Sequence, residues 1–266
     1  MSPARRGVVK RQVAVMGTVV SFDVRPGAAP AAAVHVALAR AVASLHRVDH
    51  VLSTSKPDSP LSRLRRGEIG PEDAPPEVAA VLELCARART ASGGWFDPWA
   101  APGGVDPTGL VKGWAAGRAL DHLRRTPGLA GAMVNAGGDV ACWGRPAAGR
   151  AWRIGVRSPD DAGVVLAVVE GVAAVATSGT YERGPHLFRP DRPLAPAGGV
   201  PVVSATVTGP ELWMADALAT GLAAGGTAGL DAVETLEGYE ALVVDASGQT
   251  RATRGSPAEV VAAPAA

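Results

Sequence analysis

The sequence contains only two cysteines, Cys85 and Cys142, in 266 residues. They lie far apart in a chain without a recognisable secretory signal, so we expect free buried thiols rather than a disulfide or a paired-cysteine metal site. Histidine is also scarce, and none of the five histidines has zinc-binding spacing with another histidine or with a cysteine. His46 and His50 are four apart on one predicted helix, and we interpret them as surface residues.

The chain has almost no net charge. Lys and Arg number 26 and Asp and Glu number 25, which gives a formal charge of +1. Aromatic residues make up only 4% of the chain and are not interleaved with basic ones, as a nucleic-acid groove would require. We therefore expect neither nucleic acid nor a membrane as a partner, and any anion site should be local.

Long apolar runs are missing as well. The first residues carry basic side chains but no apolar segment of signal-peptide length, and no run elsewhere approaches a membrane span. These features predict a cytoplasmic protein. Residues 1–11 are basic and unpatterned and are predicted to be disordered, residues 12–250 to form a single domain, and residues 251–266 to form a disordered tail.

Apolar periodicity predicts both strands and helices. The run at 12–25 indicates a strand interrupted at Met16-Gly17-Thr18, where a glycine allows close approach of a ligand or another backbone. The turn-rich segment 52–64 and the proline-bearing loop at 70–76 that follows it are predicted to lie on the surface. Further helices are predicted at 32–52, 76–92 and 211–224, and further strands at 132–144, 152–157, 164–169, 202–209 and 241–245.

The segment from Asp106 to Asp121 places a carboxylate and a flexible turn immediately before a helical pattern. From Val111 onward apolar residues recur at helical spacing, and Lys112 falls on their side of the predicted helix. An ammonium buried there needs an anionic partner. The first helical turn has free N–H groups, so a phosphate near this turn would be favoured by both the backbone and the lysine. The alternative is a lysine that snorkels to the rim of a core helix.

A second candidate feature lies on the predicted helix at 211–224. Asp216 and Thr220 are four residues apart, so their oxygens face one side. With a backbone carbonyl and phosphate oxygens they would complete the oxygen shell that Mg²⁺ prefers. Alternatively, Thr220 bonds its own helix backbone and Asp216 faces solvent.

Three of the few aromatic side chains cluster between Gly93 and Trp99. Trp95, Phe96 and Trp99 could stack on a planar ligand, or they could close the end of a core. The segment Asn135-Ala-Gly-Gly-Asp joins two strand-like runs, but its spacing is that of neither a dinucleotide fingerprint nor a phosphate-binding P-loop. A Gly-x-Ser-x-Gly nucleophile motif is also missing.

Short motifs occur in a fixed order along the chain: Met16-Gly-Thr, Gly94-Trp-Phe-Asp, Asp106-Pro-Thr-Gly-Leu-Val-Lys-Gly-Trp-Ala, Asn135-Ala-Gly-Gly-Asp, Ala176-Thr-Ser-Gly-Thr-Tyr and Ala215-Asp-Ala-Leu-Ala-Thr. In this order they resemble the ApbE family of FAD:protein FMN transferases, over about residues 16–245. The resemblance implies an α+β fold with antiparallel sheets and flanking helices, similar to the T-fold, with a cleft between two lobes. It also implies an enzyme that splits FAD in the presence of Mg²⁺, releases AMP and links FMN by a phosphoester to a Thr or Ser of an acceptor protein.

The resemblance also assigns roles to individual residues. The metal would be held by Asp216, Thr220 and the carbonyl of Gly109, and His186 would act as a general base near the acceptor hydroxyl. Catalysis would rest on His186, Lys112 and Asp216. The flavin would contact Met16, Trp95, Phe96, Asp97, Asp106, Lys112, Ser178 and Gly179.

One segment departs from the family pattern. The family reads His-x-x-Asp-Pro-x-Thr-Gly, whereas this chain has Arg189 at the acidic position and Arg192-Pro193 in place of Thr-Gly. This difference leaves open two alternatives to the transferase: a Mg²⁺-dependent FAD pyrophosphatase that uses water as acceptor, and a flavin-binding protein without turnover. Arg189 could instead contact phosphate.

Overall fold

A computed structural model describes residues 7–161, 163–179 and 201–261 of the chain. Its helices are α1 Ala31–Leu52, α2 Pro60–Arg65, α3 Pro76–Ala91, α4 Thr108–Arg124, α5 Leu212–Gly225 and α6 Leu230–Glu234. Its strands are β1 Val9–Val15, β2 Thr18–Arg25, β3 Gly131–Ala136, β4 Asp139–Gly144, β5 Arg153–Arg157, β6 Val165–Glu170, β7 Ala174–Gly179, β8 Val202–Gly209, β9 Glu240–Asp245, β10 Thr250–Ala252 and β11 Ala258–Val260.

The strands form two antiparallel sheets. The larger has eight strands in the order β1-β2-β3-β4-β7-β8-β9-β10, and the smaller has three in the order β11-β6-β5. All the pairings within them are antiparallel, which fits the two-residue turns between β1 and β2 and between β3 and β4. The expected α+β fold with antiparallel sheets and flanking helices is confirmed. None of the helices in the described residues is both long and apolar enough to cross a membrane.

The larger sheet buries both of its faces. Alternate residues of its strands, such as Val134 and Ala141, join α1, α4 and α5 in the main core. The intervening residues, such as Val140 and Cys142, pack against the smaller sheet in a second core. Both cysteines are buried and free, as expected, and burial raises the pKa of each thiol to about 12.

Strands extend further towards both ends of the chain than the sequence predicted. Residues 9–11, predicted to be disordered, belong to β1, which pairs with β2 over its whole length. The predicted tail includes the end of β10 and all of β11, which pairs with β6. These edge strands are short or largely exposed, so little hydrophobic periodicity marks them.

The surface segment predicted at 52–64 includes most of α2. Ser59 accepts a hydrogen bond from the Ser62 N–H at 3.0 Å, and Pro60 occupies the first turn. Serine followed by proline is a helix-start signal as well as a turn signal, and here it starts a helix. Leu61 is fully buried, so the segment contributes to the core and the prediction was wrong on this point.

Helices α4 and α5 cross at a pair of glycines. A Cβ on Gly113 would lie 2.6 Å from the Leu212 carbonyl oxygen and 2.9 Å from the Asp216 Cβ, and one on Gly109 would lie 2.8 Å from Thr220 Cγ2. Gly117, one turn further on, would have no atom within 4 Å of its Cβ. The first two glycines therefore allow the close approach that brings α4 to Asp216 and Thr220.

Substitution of these glycines tests the crossing. We expect Gly113→Ala to lower the free energy of unfolding by about 1–3 kcal/mol, because the methyl group meets backbone. The matched change Gly117→Ala should leave stability unchanged or raise it by up to about 1 kcal/mol, since alanine is the better helix former. Urea unfolding of the two variants gives the comparison, and equal effects would mean that the helices can separate at little cost.

Asp245 ends β9 and organises the turn that follows. Its Oδ1 accepts hydrogen bonds from the Ser247 hydroxyl at 2.6 Å, the Ser247 N–H at 2.9 Å and the Gln249 N–H at 3.1 Å. These bonds, the Ser247 hydroxyl first, lower the pKa of the carboxyl, with Arg251 as a weaker contributor. A carboxylate held in this way stabilises the folded state above its ordinary pKa.

We therefore expect acid to remove this contribution. As the pH falls below the ordinary aspartate value towards the lowered pKa, the unfolded state takes up the proton first, and the free energy of unfolding decreases. Asp245→Asn should flatten this dependence between about pH 5 and pH 2. Urea unfolding at several pH values measures it, and parallel curves for the wild type and Asp245→Asn would refute the assignment.

Candidate functional site

Several of the sequence motifs lie along one edge of the larger sheet, by which we mean the row of strand ends and turns on one side rather than an edge strand. The β1–β2 turn lies there, with both Met16 (φ 54°) and Gly17 (φ 68°) in the left-handed region. The β3–β4 turn lies beside it, because a Cβ on Gly137 would be 2.5 Å from Thr18 Oγ1. Antiparallel pairing of β4 with β7 brings the end of β7 to the same edge. Met16 is the one non-glycine residue with positive φ in the part of the chain that is described.

Lys112 lies inside this edge, as its position in the helical pattern predicted. Its side chain is 17% exposed and forms an ion pair with Asp139, whose side chain is 1% exposed. The other oxygen of Asp139 accepts a hydrogen bond from the Thr177 N–H at 3.2 Å. The anionic partner that Lys112 requires is thus a carboxylate of the protein, so the burial of Lys112 is not in itself evidence for a phosphate.

The start of α4 differs from the prediction. The helix begins at Thr108, so Lys112 lies just beyond the first turn. Asp106 Oδ1 accepts the Thr108 N–H at 3.0 Å, and the Pro107 carbonyl accepts the N–H groups of Leu110 and Val111. The expectation of free N–H groups in this turn was therefore wrong at these three positions, because Asp106 and the Pro107 carbonyl satisfy them.

The predicted metal ligands come together across the α4–α5 crossing. Thr220 Oγ1 lies 3.3 Å from the Gly109 carbonyl oxygen and 3.3 Å from Ser178 Oγ. Asp216, one helical turn before Thr220, is buried, and its Oδ2 accepts the Gly113 N–H at 2.9 Å. The alternative of a solvent-facing aspartate is excluded. No group of three or more His, Cys, Asp and Glu side chains suited to a metal occurs among the described residues.

The aromatic loop closes the core more than it lines a cleft. The Trp95 ring covers Gly225, whose Cβ would lie 2.4 Å from it, and Phe96 is 4% exposed and lies beside Gly109. Asp97 pairs with Arg89 at 2.8 Å and caps the turn at Trp99. The flavin contacts predicted for Trp95, Phe96 and Asp97 are untested, and each residue has a packing or pairing role of its own.

Two neighbouring residues were missed as participants. Asp139 appeared in a motif without a role, and Gly113 follows Gly109 by one helical turn. The sequence signal for Asp139 was its position at the start of a buried strand, where an aspartate needs a partner.

Gly179 ends β7 beside Ser178. His186, Arg189, Arg192 and Pro193 lie outside the described residues, so their predicted roles are not placed.

The sequence profile of the ApbE family matches residues 16–104 and 100–243, most of the chain. This chain belongs to the ApbE family. A curated relative, the FAD:protein FMN transferase of Vibrio cholerae serotype O1, is 34% identical over 129 residues, which cover 44% of this chain and 37% of the relative. The matched region therefore spans little more than a third of that protein.

Solved ApbE structures share the fold along nearly the whole chain. The flavin transferase ApbE from Vibrio cholerae superposes with a TM-score of 0.74 at 22% identity, covering 93% of this chain and 97% of that one. The apo flavinyl transferase ApbE from Pseudomonas stutzeri gives a TM-score of 0.77 at 23% identity, covering 96% and 97%. At these identities the likeness concerns the fold.

Proposed function

We propose that this ApbE-family protein is a Mg²⁺-dependent FAD:protein FMN transferase. It would cleave FAD, link FMN by a phosphoester to a Thr or Ser of an acceptor protein, and release AMP. The observation that carries the proposal is that Thr220 and Asp216 of α5 approach Gly109 and Gly113 of α4, the helix that also carries the partly buried Lys112. The FAD:protein FMN transferase from Vibrio cholerae supports it as a relative.

The donor set fits a hard cation. It contains one carboxylate, one or two hydroxyls and one backbone carbonyl, all oxygen, which matches Mg²⁺ that borrows further ligands from substrate phosphates. The Gly113 N–H would orient the Asp216 carboxylate by holding Oδ2. When bound, the cation would neutralise charge on the FAD pyrophosphate.

Lys112 would bind the pyrophosphate while Asp139 holds it in place. An ammonium has three donors, so it can serve a carboxylate and a phosphate oxygen together. Asp139 is fixed in turn by the Thr177 N–H, which links the lysine to the strand that carries Ser178. This arrangement keeps the ammonium positioned before substrate arrives, so little ordering accompanies binding.

We propose that the flavin lies along the same edge, against Met16, the loop at Trp95, Phe96 and Asp97, the Asp106 turn and the end of β7 at Ser178 and Gly179. The partly buried Asp106 carboxylate and the two hairpin turns would limit where the ring can enter. His186 would accept the proton of the acceptor hydroxyl as it attacks the FMN phosphorus.

Incubation with FAD distinguishes the transferase from its alternatives. The protein is mixed with FAD and Mg²⁺, with and without a candidate acceptor protein, and FMN, AMP and acceptor mass are measured, with EDTA as the control. The transferase predicts AMP release matched by acceptor-bound FMN. Equal FMN and AMP regardless of acceptor would instead identify a pyrophosphatase, and bound but intact FAD a binding protein.

We expect FAD to bind at least about tenfold more tightly than riboflavin. Riboflavin has no phosphate for Lys112 or a cation to hold, and a hydrogen bond to a charged group contributes about 1.5–3 kcal/mol. Fluorescence-quench titrations with both ligands measure the ratio. Equal dissociation constants would show that the phosphates make no favourable contact, and they would remove Lys112 from the binding site.

A further inference from the structure

Two arginines lie over tryptophan rings beside helices α4 and α5. Arg87 of α3 lies with its guanidinium carbon 4.9 Å from the Trp213 ring centroid, and Arg118 of α4 lies 4.7 Å from that of Trp114. Stacking on a ring holds a guanidinium plane in one orientation and leaves its N–H edge pointing away from the ring. The guanidinium of Arg87 thus lies against α5, and that of Arg118 lies against its own helix, α4.

Neither guanidinium fork is hydrogen-bonded or ion-paired to a carboxylate, although Glu77 interacts electrostatically with Arg118. Within residues 7–161, 163–179 and 201–261, neither Arg87 nor Arg118 makes a hydrogen bond or an ion pair with the protein. Neighbouring arginines differ: Arg47 pairs with Glu77 at 2.9 Å, and Arg124 pairs with Asp121 at 2.9 Å. The two stacked guanidiniums therefore retain their donors for solvent or a ligand.

Both arginines line one pocket. It has a volume of about 340 Å³, and small residues form part of its wall, including Gly113, Gly117, Ala141 and Ala174. A volume of this size is at the lower end of the range for small-molecule sites. None of the residues proposed to hold the flavin or the cation lines this pocket, although Gly113 in its wall donates its N–H to Asp216. The pocket is therefore distinct from the proposed flavin site.

The pocket lining carries one more basic than acidic side chain: Arg87, Arg118 and Arg124 against Asp121 and Glu211. On the same helix as Arg118, the pKa of His122 is lowered by burial first and then by Arg118 and Arg125, while Asp121 acts in the opposite direction. Of the two acidic residues that line the pocket, Asp121 is already paired with Arg124, and Glu211 lies at the start of α5. Local positive charge in a neutral chain favours an anionic ligand.

We propose that this pocket is a second ligand site, which binds a compact phosphate-bearing anion through the N–H edges of Arg87 and Arg118. Pyrophosphate and small phosphate esters fit the volume and the paired forks, because guanidinium matches phosphate oxygens in bidentate geometry. The tryptophan faces are covered by the arginines and serve to orient them.

Calorimetric titration of inorganic pyrophosphate into FAD-saturated protein without Mg²⁺ tests the proposal. We expect saturable binding that the double variant Arg87→Gln, Arg118→Gln weakens about tenfold or more, since two charge-assisted contacts are lost. Gln keeps part of the stacking, so the fold should survive, which a thermal melt confirms. Arg125→Gln removes a charge from the adjacent exposed position outside the pocket and should change binding less than about twofold.

Three results would overturn the proposal. The first is the absence of binding at millimolar pyrophosphate. The second is that Arg125→Gln weakens pyrophosphate binding as much as the double variant does. The third is that pyrophosphate binds only by displacing FAD. The last result would place the anion in the flavin site. The assay needs no turnover, so a negative result would not argue against the proposed transferase activity. Equally, a failure to detect transferase activity would not argue against a ligand site in this pocket.

Discussion

Asp216→Asn is expected to reduce Mg²⁺-dependent FAD cleavage by at least about 100-fold in a protein that remains folded. Asparagine has the size of aspartate and can still accept the Gly113 N–H, so the α4–α5 crossing should persist. It lacks the negative charge, and a hydroxyl and a carbonyl alone hold Mg²⁺ poorly against water. The rate of AMP release, measured over a range of Mg²⁺ concentrations, gives the result.

The control for this variant is Asp231→Asn, which removes a carboxylate from an exposed position on α6. It should retain wild-type activity, and circular dichroism should be the same for all three proteins. If Asp216→Asn cleaves FAD at the wild-type rate with the same Mg²⁺ dependence, the cation binds elsewhere. A loss of activity together with a loss of fold would assign Asp216 a structural role, which the thermal melt reveals.

Lys112→Met is expected to lower the free energy of unfolding by about 3 kcal/mol, because it leaves the buried Asp139 carboxylate without its counter-charge. Asp139→Asn should have a comparable effect, because it leaves the Lys112 ammonium without its counter-charge. The double variant should be less destabilised than the sum of the two, by about 1–3 kcal/mol, since neither charge is then left alone. Urea unfolding of the four proteins completes this cycle.

An exposed ion pair of the same type provides the comparison. Lys56 pairs with Asp49 at 2.5 Å, but its side chain is 50% exposed. Lys56→Met should therefore change stability by less than about 1 kcal/mol. If Lys112→Met is equally mild, and if it also leaves FAD affinity unchanged, Lys112 is a rim residue and takes no part in the site. The proposed role instead predicts a loss of about 1.5–3 kcal/mol in FAD binding.

Periodicity predicted which side chains of α4 and α5 face inward, but it did not predict which residues of other elements they contact. The position of Lys112 in the helical pattern showed that its ammonium needed an anion, and the four-residue spacing of Asp216 and Thr220 placed their oxygens together. The partner Asp139 is 27 residues away and comes from a strand of the sheet. Spacing along the chain carries no information about such pairings, because the sheet order decides them.

Where local signals support two structures, packing decided between them. The aromatic cluster permitted a ligand platform, yet the Trp95 ring fills the space left by Gly225 and Phe96 enters the core. The Ser59-Pro60 signal, interpreted as a turn, begins α2 because Leu61 can be buried there. The strands β1 and β11 lie at sheet edges, and they are held by pairing to a neighbour rather than by an apolar pattern of their own.

The central claim is that the strand ends of the larger sheet, together with the start of α4 and the adjoining part of α5, hold both a divalent cation and the FAD pyrophosphate. Crystals grown with FAD and Mn²⁺, which takes the same oxygen ligands as Mg²⁺, would locate the cation by anomalous diffraction. We predict a manganese peak within bonding distance of Asp216, Thr220 and the Gly109 carbonyl, with the pyrophosphate between it and Lys112. A peak at another position, or FAD bound away from Lys112, would contradict this account of the site.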